Sequence, residues 1–405
     1  MNYYIKSLLL LIFSLSVSFG QYAGFKNFEI VESVPIETSF DNPDVRNAYE
    51  VWLEMINGAK KTLDIEQFYI STEPNEPLED ILRSVIEAGK RGVKVRIVAD
   101  AGMYKTYPQT LDMLGKQKNI SVRLIDYRKI SGGVQHSKYF IVDGMEVFLG
   151  SQNFDWRALK HIIELGFKIT DEKAAKIYTD IFEIDWQLSS PDSNEAKRGV
   201  VKNKYSVPLQ IVENSDTIKY YPTFSSINHI PDKNLWDETH LINLIDSAKN
   251  ELFFHVLTYS PISRGKEYYA NLDNALRRAA VRGVKVHVMT SDWSKRKPTI
   301  DHLKSLAVIP NIEVKMSTIP EWSGGFISHA RVDHRKILII DDDRCWLGTS
   351  NWEKSYFYAG RNIGVVVQNL KIVKKLKEIY LKSWNGEYSY NIKPEIEYTP
   401  PKIGE

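Results

Sequence analysis

His136-Ser137-Lys138-Tyr139-Phe140-Ile141-Val142-Asp143, with Gly150-Ser151-Gln152-Asn153 behind it, is matched later by His334-Arg335-Lys336-Ile337-Leu338-Ile339-Ile340-Asp341 with Gly348-Thr349-Ser350-Asn351. Both stretches obey H-x-K-x4-D-x6-G-[ST]-x-N. Residues two apart on a strand project from one face. His136 and Lys138 therefore share a face, as do Ser151 and Asn153 and, in the second stretch, His334 with Lys336 and Thr349 with Asn351. Asp143 lies an odd number of positions from His136 and is expected on the other face. It and Asp341 read as anchors for a tight turn rather than catalytic groups. Asp143-Gly144 is a turn signal, so each stretch is expected to form a strand, a turn and a returning strand.

The repetition extends outward. Arg91-Gly92-Val93-Lys94-Val95 recurs as Arg282-Gly283-Val284-Lys285-Val286, an offset of 191, while His136/His334, Gly166/Gly364 and Trp186/Trp384 are all 198 apart. Such a slowly drifting offset indicates a duplicated unit with loop insertions. Apolar periodicity predicts, in the first unit, a helix over 45–56, a strand over 63–70, a helix over 78–90 stopping at Gly92, and a strand over 93–98. The second unit repeats this over 241–247, 252–257, 271–281 and 284–289. Each unit ends in a helix, over 172–186 and 370–384. Strands alternating with helices predict α/β halves, each with a sheet covered on both faces. Residues 189–235, polar and proline-containing, read as the connection plus the first strand of the second half.

The chain has 405 residues, long enough for two core-bearing units. Its net charge of +2, from 53 Lys plus Arg against 51 Asp plus Glu, gives no whole-molecule argument for a polyanionic partner. Lys6, the apolar run of residues 7–19 and the Ser18-x-Gly20 pattern read as a cleaved signal peptide over 1–20. The run is too short for a transmembrane anchor, which needs about 20 apolar residues. Cys345 is the only cysteine, so the fold must stand without an intrachain disulfide. Asn119-Ile120-Ser121 is a glycosylation sequon if the chain enters a eukaryotic secretory pathway.

Two imidazoles, two ammonium groups, two hydroxyls and two carboxamides suit a phosphodiester. One histidine can attack phosphorus while the other protonates the leaving oxygen and then activates water. The lysines and amides can hold the charge on the non-bridging oxygens. The cations come from side chains, so no metal or other cofactor is expected; an H-x-K pair also supplies only one good metal ligand. Each imidazole needs an orienting partner. Glu164, in Ile163-Glu164-Leu165-Gly166, and Asn362, 198 residues on, are polar positions in otherwise apolar strands. They are the candidates. Glu66 and His255, at an offset of 189, read as cleft-lining or hydrogen-bonded structural groups. Asp155 and Arg157 read as a local pair, and Trp156 and Trp352 as core more than as stacking platforms.

The paired motif resembles that of the phospholipase D superfamily. The flanks Gly150-Ser151-Gln152-Asn153-Phe154-Asp155-Trp156-Arg157 and Gly348-Thr349-Ser350-Asn351-Trp352-Glu353-Lys354, with Leu272-Asp273-Asn274-Ala275-Leu276-Arg277, resemble the branch of animal lysosomal phospholipase D-like 5′ exonucleases and their poxvirus relatives. The resemblance implies two α/β/α sandwich halves about a pseudo-twofold axis, over 21–190 and 236–397, joined by 191–235, with one complete site in a monomer. It implies a phosphohistidine intermediate, with His136 the nucleophile and His334 the acid and base. Single-stranded nucleic acid is the implied substrate and a phospholipid headgroup its rival, with peripheral membrane contact in that case. A non-catalytic relative of the same fold is a lesser alternative. The location expected is extracellular, periplasmic, or in the lumen of the secretory or endolysosomal pathway.

Overall fold

The computed structural model describes residues 24–192, 202–262 and 267–404; the expected signal peptide lies outside them. Among the described residues no helix is long and apolar enough to cross a membrane.

Two mixed sheets form the frame. The first runs Arg46–Asn47, Phe28–Ser33, Glu164–Thr170, Glu146–Gly150, Tyr139–Val142, Thr62–Gln67, Lys94–Asp100, Ile120–Ile125. The second runs Leu209–Glu213, Asp216–Ser225, Asn362–Gln368, Arg344–Gly348, Ile337–Ile340, Glu251–Val256, Lys285–Ser291, Ile312–Ser317, Ser389–Asn391. From Phe28–Ser33 onward and from Asp216–Ser225 onward the two orders correspond strand for strand, with Ser389–Asn391 added at the end of the second. This is the α/β duplication expected from the repeat. In both, three neighbouring strands pair in parallel, Thr62–Gln67 with Lys94–Asp100 with Ile120–Ile125 and Glu251–Val256 with Lys285–Ser291 with Ile312–Ser317, and the motif hairpins pair antiparallel.

The repeated Arg-Gly-Val has a physical cause. The helix Leu78–Lys90 buries Leu78, Ile81, Leu82, Val85 and Ala88 and stops where Gly92 takes φ +99°, a conformation open to glycine; Val93 N–H then donates back to Ala88 O. The helix Asn271–Val281 stops identically, with Gly283 at φ +89° and Val284 N–H on Ala279 O. Arg91 and Arg282 each donate to a carbonyl in the last turn of the preceding helix, Ile56 O and Ile245 O. One tripeptide thus ends one helix and ties it to another in both halves.

Some boundaries differ from expectation. The strand predicted over 63–70 ends at Gln67, and Ile70–Ser71 pairs separately with Phe154–Asp155. The break turns Phe68 and Tyr69 out of the sheet. The first helix begins at Ala48, because Arg46–Asn47 extend to pair with Val31 and Glu32. The second half begins with two strands, Leu209–Glu213 and Asp216–Ser225, rather than one.

Each sheet packs its outer face on its own helices. One outer core holds Trp52, Phe140, Phe148 and Phe154, and the other holds Phe254, Trp346 and Trp352. The inner faces share one core. Phe28, Tyr178 and Phe182 pack there with Tyr220, Phe224, Tyr380 and Trp384, under the helices Glu172–Leu188 and Leu370–Trp384. Arg361, fully buried, donates to both oxygens of buried Asp185 across this seam, at 2.6 and 2.8 Å.

Asp143 (φ +53°) and Gly144 (φ +65°) make the first hairpin turn. The Asp143 carboxylate accepts backbone N–H bonds from Lys60, Lys61 and Thr62, and Asp341 does the same for Lys249, Asn250 and Glu251. Asp143→Ala is expected to lower unfolding stability by about 1–3 kcal/mol, since it strips the acceptor from those amides. The measurement is the denaturant midpoint at unchanged slope, with KM for substrate unaltered. A midpoint equal to wild type would remove Asp143 as an anchor.

Candidate active site

His136 and Lys138 sit in the extended lead-in to Tyr139–Val142, not in the ladder itself. The lead-in instead pairs with the other half. His136 N–H donates to Arg361 O at 2.8 Å, and His334 N–H donates to Ile163 O at 2.9 Å. Each motif is thereby laid against the residue just before the other half's polar strand position.

This crosswise docking sets the imidazole partners. His136 Nδ1 is 3.1 Å from Asn362 Oδ1, and His334 Nδ1 is 2.9 and 3.0 Å from the Glu164 carboxylate oxygens. The Asn362 amide is locked, because its Nδ2 donates to Tyr356 O at 2.8 Å and its Oδ1 accepts from Thr349 Oγ1 at 3.1 Å. His136 must therefore carry its proton on Nδ1, which leaves the Nε2 lone pair free. His136, His334, Asn153 and Asn351 line one cavity of about 320 Å³.

Lys138 and Lys336 are fully buried. Their ammonium groups donate to the carbonyls of His136 and His334, at 2.6 and 2.5 Å. Behind the histidines they lie close enough to act on both rings electrostatically. Burial, then the two lysines, push His136 well below the ordinary histidine range. The same causes push His334 down, while Glu164 stands against its Nδ1 as a counter-charge. Burial raises Glu164 to about 8 against the pull of the lysines, and lowers Lys336 to about 7. Burial also holds Lys138 well below the ordinary lysine range, and a buried cluster of basic groups with displaced titrations is poised for an anion.

The hydroxyls depart from expectation. Ser151 and Thr349 do not face the cavity: Ser151 Oγ accepts from Leu165 N–H at 3.1 Å and Thr349 Oγ1 from Ile363 N–H at 3.1 Å. They follow directly on the strand ends at Gly150 and Gly348, where an oxygen acceptor is needed to continue the ladder, and they brace the strands that carry Glu164 and Asn362. Asp143 and Asp341 are at the far ends of the hairpins. Asn351 Nδ2 donates to Tyr356 OH at 3.1 Å, whereas Asn153 Oδ1, buried at the cavity wall, has no hydrogen-bond partner among the described residues. Glu66 accepts from Gln135, Ser137 and Tyr139 beneath the motif, and His255 Nε2 lies 3.1 Å from Asp333; both are structural. Trp352 is core and Asp155 pairs with Arg157. No cluster of three or more potential metal-ligating side chains occurs among the described residues.

Sequence reasoning passed over the aromatic wall. Phe68 and Tyr356 pack against the His136 ring, centroids 5.0 and 5.1 Å away, and Tyr69, Tyr107 and Trp293 also line the cavity. Phe68 and Tyr69 lie in the stretch expected as one strand over 63–70, and nothing in its pattern marks them as turned out of the sheet.

A family model described as "Cardiolipin synthase, PLD-like domain" matches the chain twice, over residues 52–186 and 241–384. The chain is 30% identical to the 5′-3′ exonuclease PLD3 of Xenopus laevis over 401 residues, covering 89% of this chain and 80% of that protein. It is 31% identical to the virion nicking-joining enzyme of vaccinia virus over 391 residues, covering 90% and 89%. The crystal structure of phosphatidylserine synthase from Haemophilus influenzae shares the fold, with a TM-score of 0.63 at 13% identity over 90% of this chain and 87% of that one. Its two matched domains and these relatives along most of its length place the chain in the phospholipase D-like family.

Proposed function

We propose that this chain is a metal-independent phosphodiesterase that removes nucleotides from the 5′ end of single-stranded nucleic acid through a phosphohistidine on His136. The observation that carries the reading is the unequal pairing of two histidines on one cavity: a neutral carboxamide behind His136 and a carboxylate behind His334. An amide can hold a tautomer but cannot balance an imidazolium, so His136 is kept neutral and nucleophilic. Glu164, raised to about 8 by burial, can share a proton with the Nδ1 it touches, so His334 is the ring supplied with a proton to give. The choice of substrate leans on the exonuclease and nicking-joining relatives.

In the first step His136 Nε2 bonds to phosphorus as the P–O bond to the leaving group breaks, and that oxygen takes a proton from His334. Water then attacks the phosphorus and gives a proton to His334, and the P–N bond breaks, which restores both imidazoles. Asn153 and Asn351 face the non-bridging oxygens, with the Lys138 and Lys336 charges behind them. Nothing in this sequence calls for a second chain. The charged-then-apolar start of the polypeptide supports a secreted or lumenal location.

Wild-type protein in EDTA is expected to shorten a 3′-labelled single-stranded DNA from its 5′ end, and His136→Ala to be slower by about 10³-fold or more. Phosphatidylcholine vesicles run in parallel: turnover of lipid alone would move the substrate to phospholipid headgroups, and turnover of neither would make the chain a non-catalytic relative. Glu164→Gln tests the second imidazole. Losing the carboxylate lowers the His334 pKa, so the alkaline limb of the kcat/KM profile should shift to lower pH and the rate at neutral pH fall about 10²-fold. An unchanged pH profile would remove Glu164 from the mechanism.

A further inference from the structure

The cavity wall beyond the histidines is aromatic. Tyr69 and Tyr107 stack on each other, centroids 5.1 Å apart and planes 26° off parallel. Tyr69 OH donates to Asp155 at 2.7 Å, and the guanidinium of Arg157, itself on Asp155 at 2.9 and 3.0 Å, lies 5.9 Å from the Tyr107 ring and donates to Ser328 O. Asp155 and Arg157 are both buried. A buried ion pair thus fixes an aromatic surface that no core requires, since Tyr107 is half-exposed and lines the cavity.

Trp293 contributes the matching feature from the second half. It lies in the turn Asp292–Lys295, directly after the strand Lys285–Ser291, as Tyr107 follows shortly after the equivalent strand Lys94–Asp100. The two come from loops at the carboxyl ends of corresponding strands, where ligands bind to open sheets. Trp293 meets the His329 ring edge to face at 6.0 Å, and both line the cavity. Three and four residues beyond Trp293, Arg296 and Lys297 are exposed cations.

We infer that Tyr107 and Trp293 form a stacking seat for the terminal base of the nucleic acid, with Arg296 and Lys297 receiving the phosphates of the strand that trails out of the cavity. This rests on the nucleic-acid reading above and adds how that substrate is chosen. Aromatic faces beside a basic rim take any base, because every base has a π-face, and bind the backbone by charge. A cavity of about 320 Å³, at the small end of pockets for organic ligands, has room for a single terminal nucleoside, so shortening proceeds from an end. Tyr69, Asp155 and Arg157 are then positioning residues.

The test compares wild type, Tyr107→Ala, Trp293→Ala and Tyr107→Phe on two single-stranded DNAs, one ordinary and one with an abasic 5′-terminal nucleotide. Wild type should lose about 5- to 100-fold in kcat/KM on the abasic strand. The alanine variants should lose a similar factor on the ordinary strand and little more on the abasic one, while Tyr107→Phe behaves as wild type. Equal loss by the variants on both strands, or equal wild-type rates on both, would overturn the seat while leaving the phosphodiesterase reading intact. Wild type that cuts no DNA but hydrolyses phosphatidylcholine would instead overturn the nucleic-acid reading beneath it. Circular dichroism melts of each variant separate loss of the seat from loss of the fold.

Discussion

Each motif imidazole is held at Nδ1 by a side chain from the opposite half of the molecule, and that exchange governs the rest of the design. His136 reaches Asn362 and His334 reaches Glu164, with the backbone of each motif bonded beside its partner strand. Neither half alone has an oriented histidine. The large aromatic core between the sheets and the buried Asp185–Arg361 pair are therefore part of the site, because they fix the docking on which the hydrogen bonds depend. Arg361 does both jobs: its guanidinium grips Asp185 while its carbonyl accepts from His136 N–H.

Duplication would give two equal histidines, and the one-residue difference between Glu164 and Asn362 breaks the tie. The two lysines bring basic groups into a fully buried place, and among the described residues no carboxylate pairs directly with either, an arrangement that costs folding stability. It is the arrangement expected where an anionic phosphodiester completes the charge balance. The carboxylate that remains nearby, Glu164, is raised toward neutrality by the same burial that lowers the histidines, so a proton can be held and moved between it and His334.

Much of this was legible in the sequence, for identifiable reasons. The repeated Arg-Gly-Val marks helix stops because glycine reaches φ values that other residues avoid, and Asp143-Gly144 marks a turn by the same logic. Glu164 and Asn362 stood out because a polar residue in an apolar strand needs a partner. Which histidine each one holds was not legible, since the cross-pairing comes from docking two halves distant in sequence. Strand alternation also misplaced Ser151 and Thr349, because parity arguments fail one residue past the end of a ladder. Tyr107 and Trp293 lie in turns with no period to announce them, Tyr69 falls inside a run that reads as an unbroken strand, and their convergence depends on both halves being folded.

The most direct test of the unequal histidines is a burst experiment with bis-(p-nitrophenyl) phosphate, whose leaving group needs no acid. The His334→Ala variant should release about one equivalent of nitrophenolate per chain and then stall, with the phosphoryl adduct mapped by mass spectrometry to the peptide that carries His136. His136→Ala should give no burst. An adduct on His334 in the His136→Ala variant, or stalled turnover with no adduct on either peptide, would contradict the account.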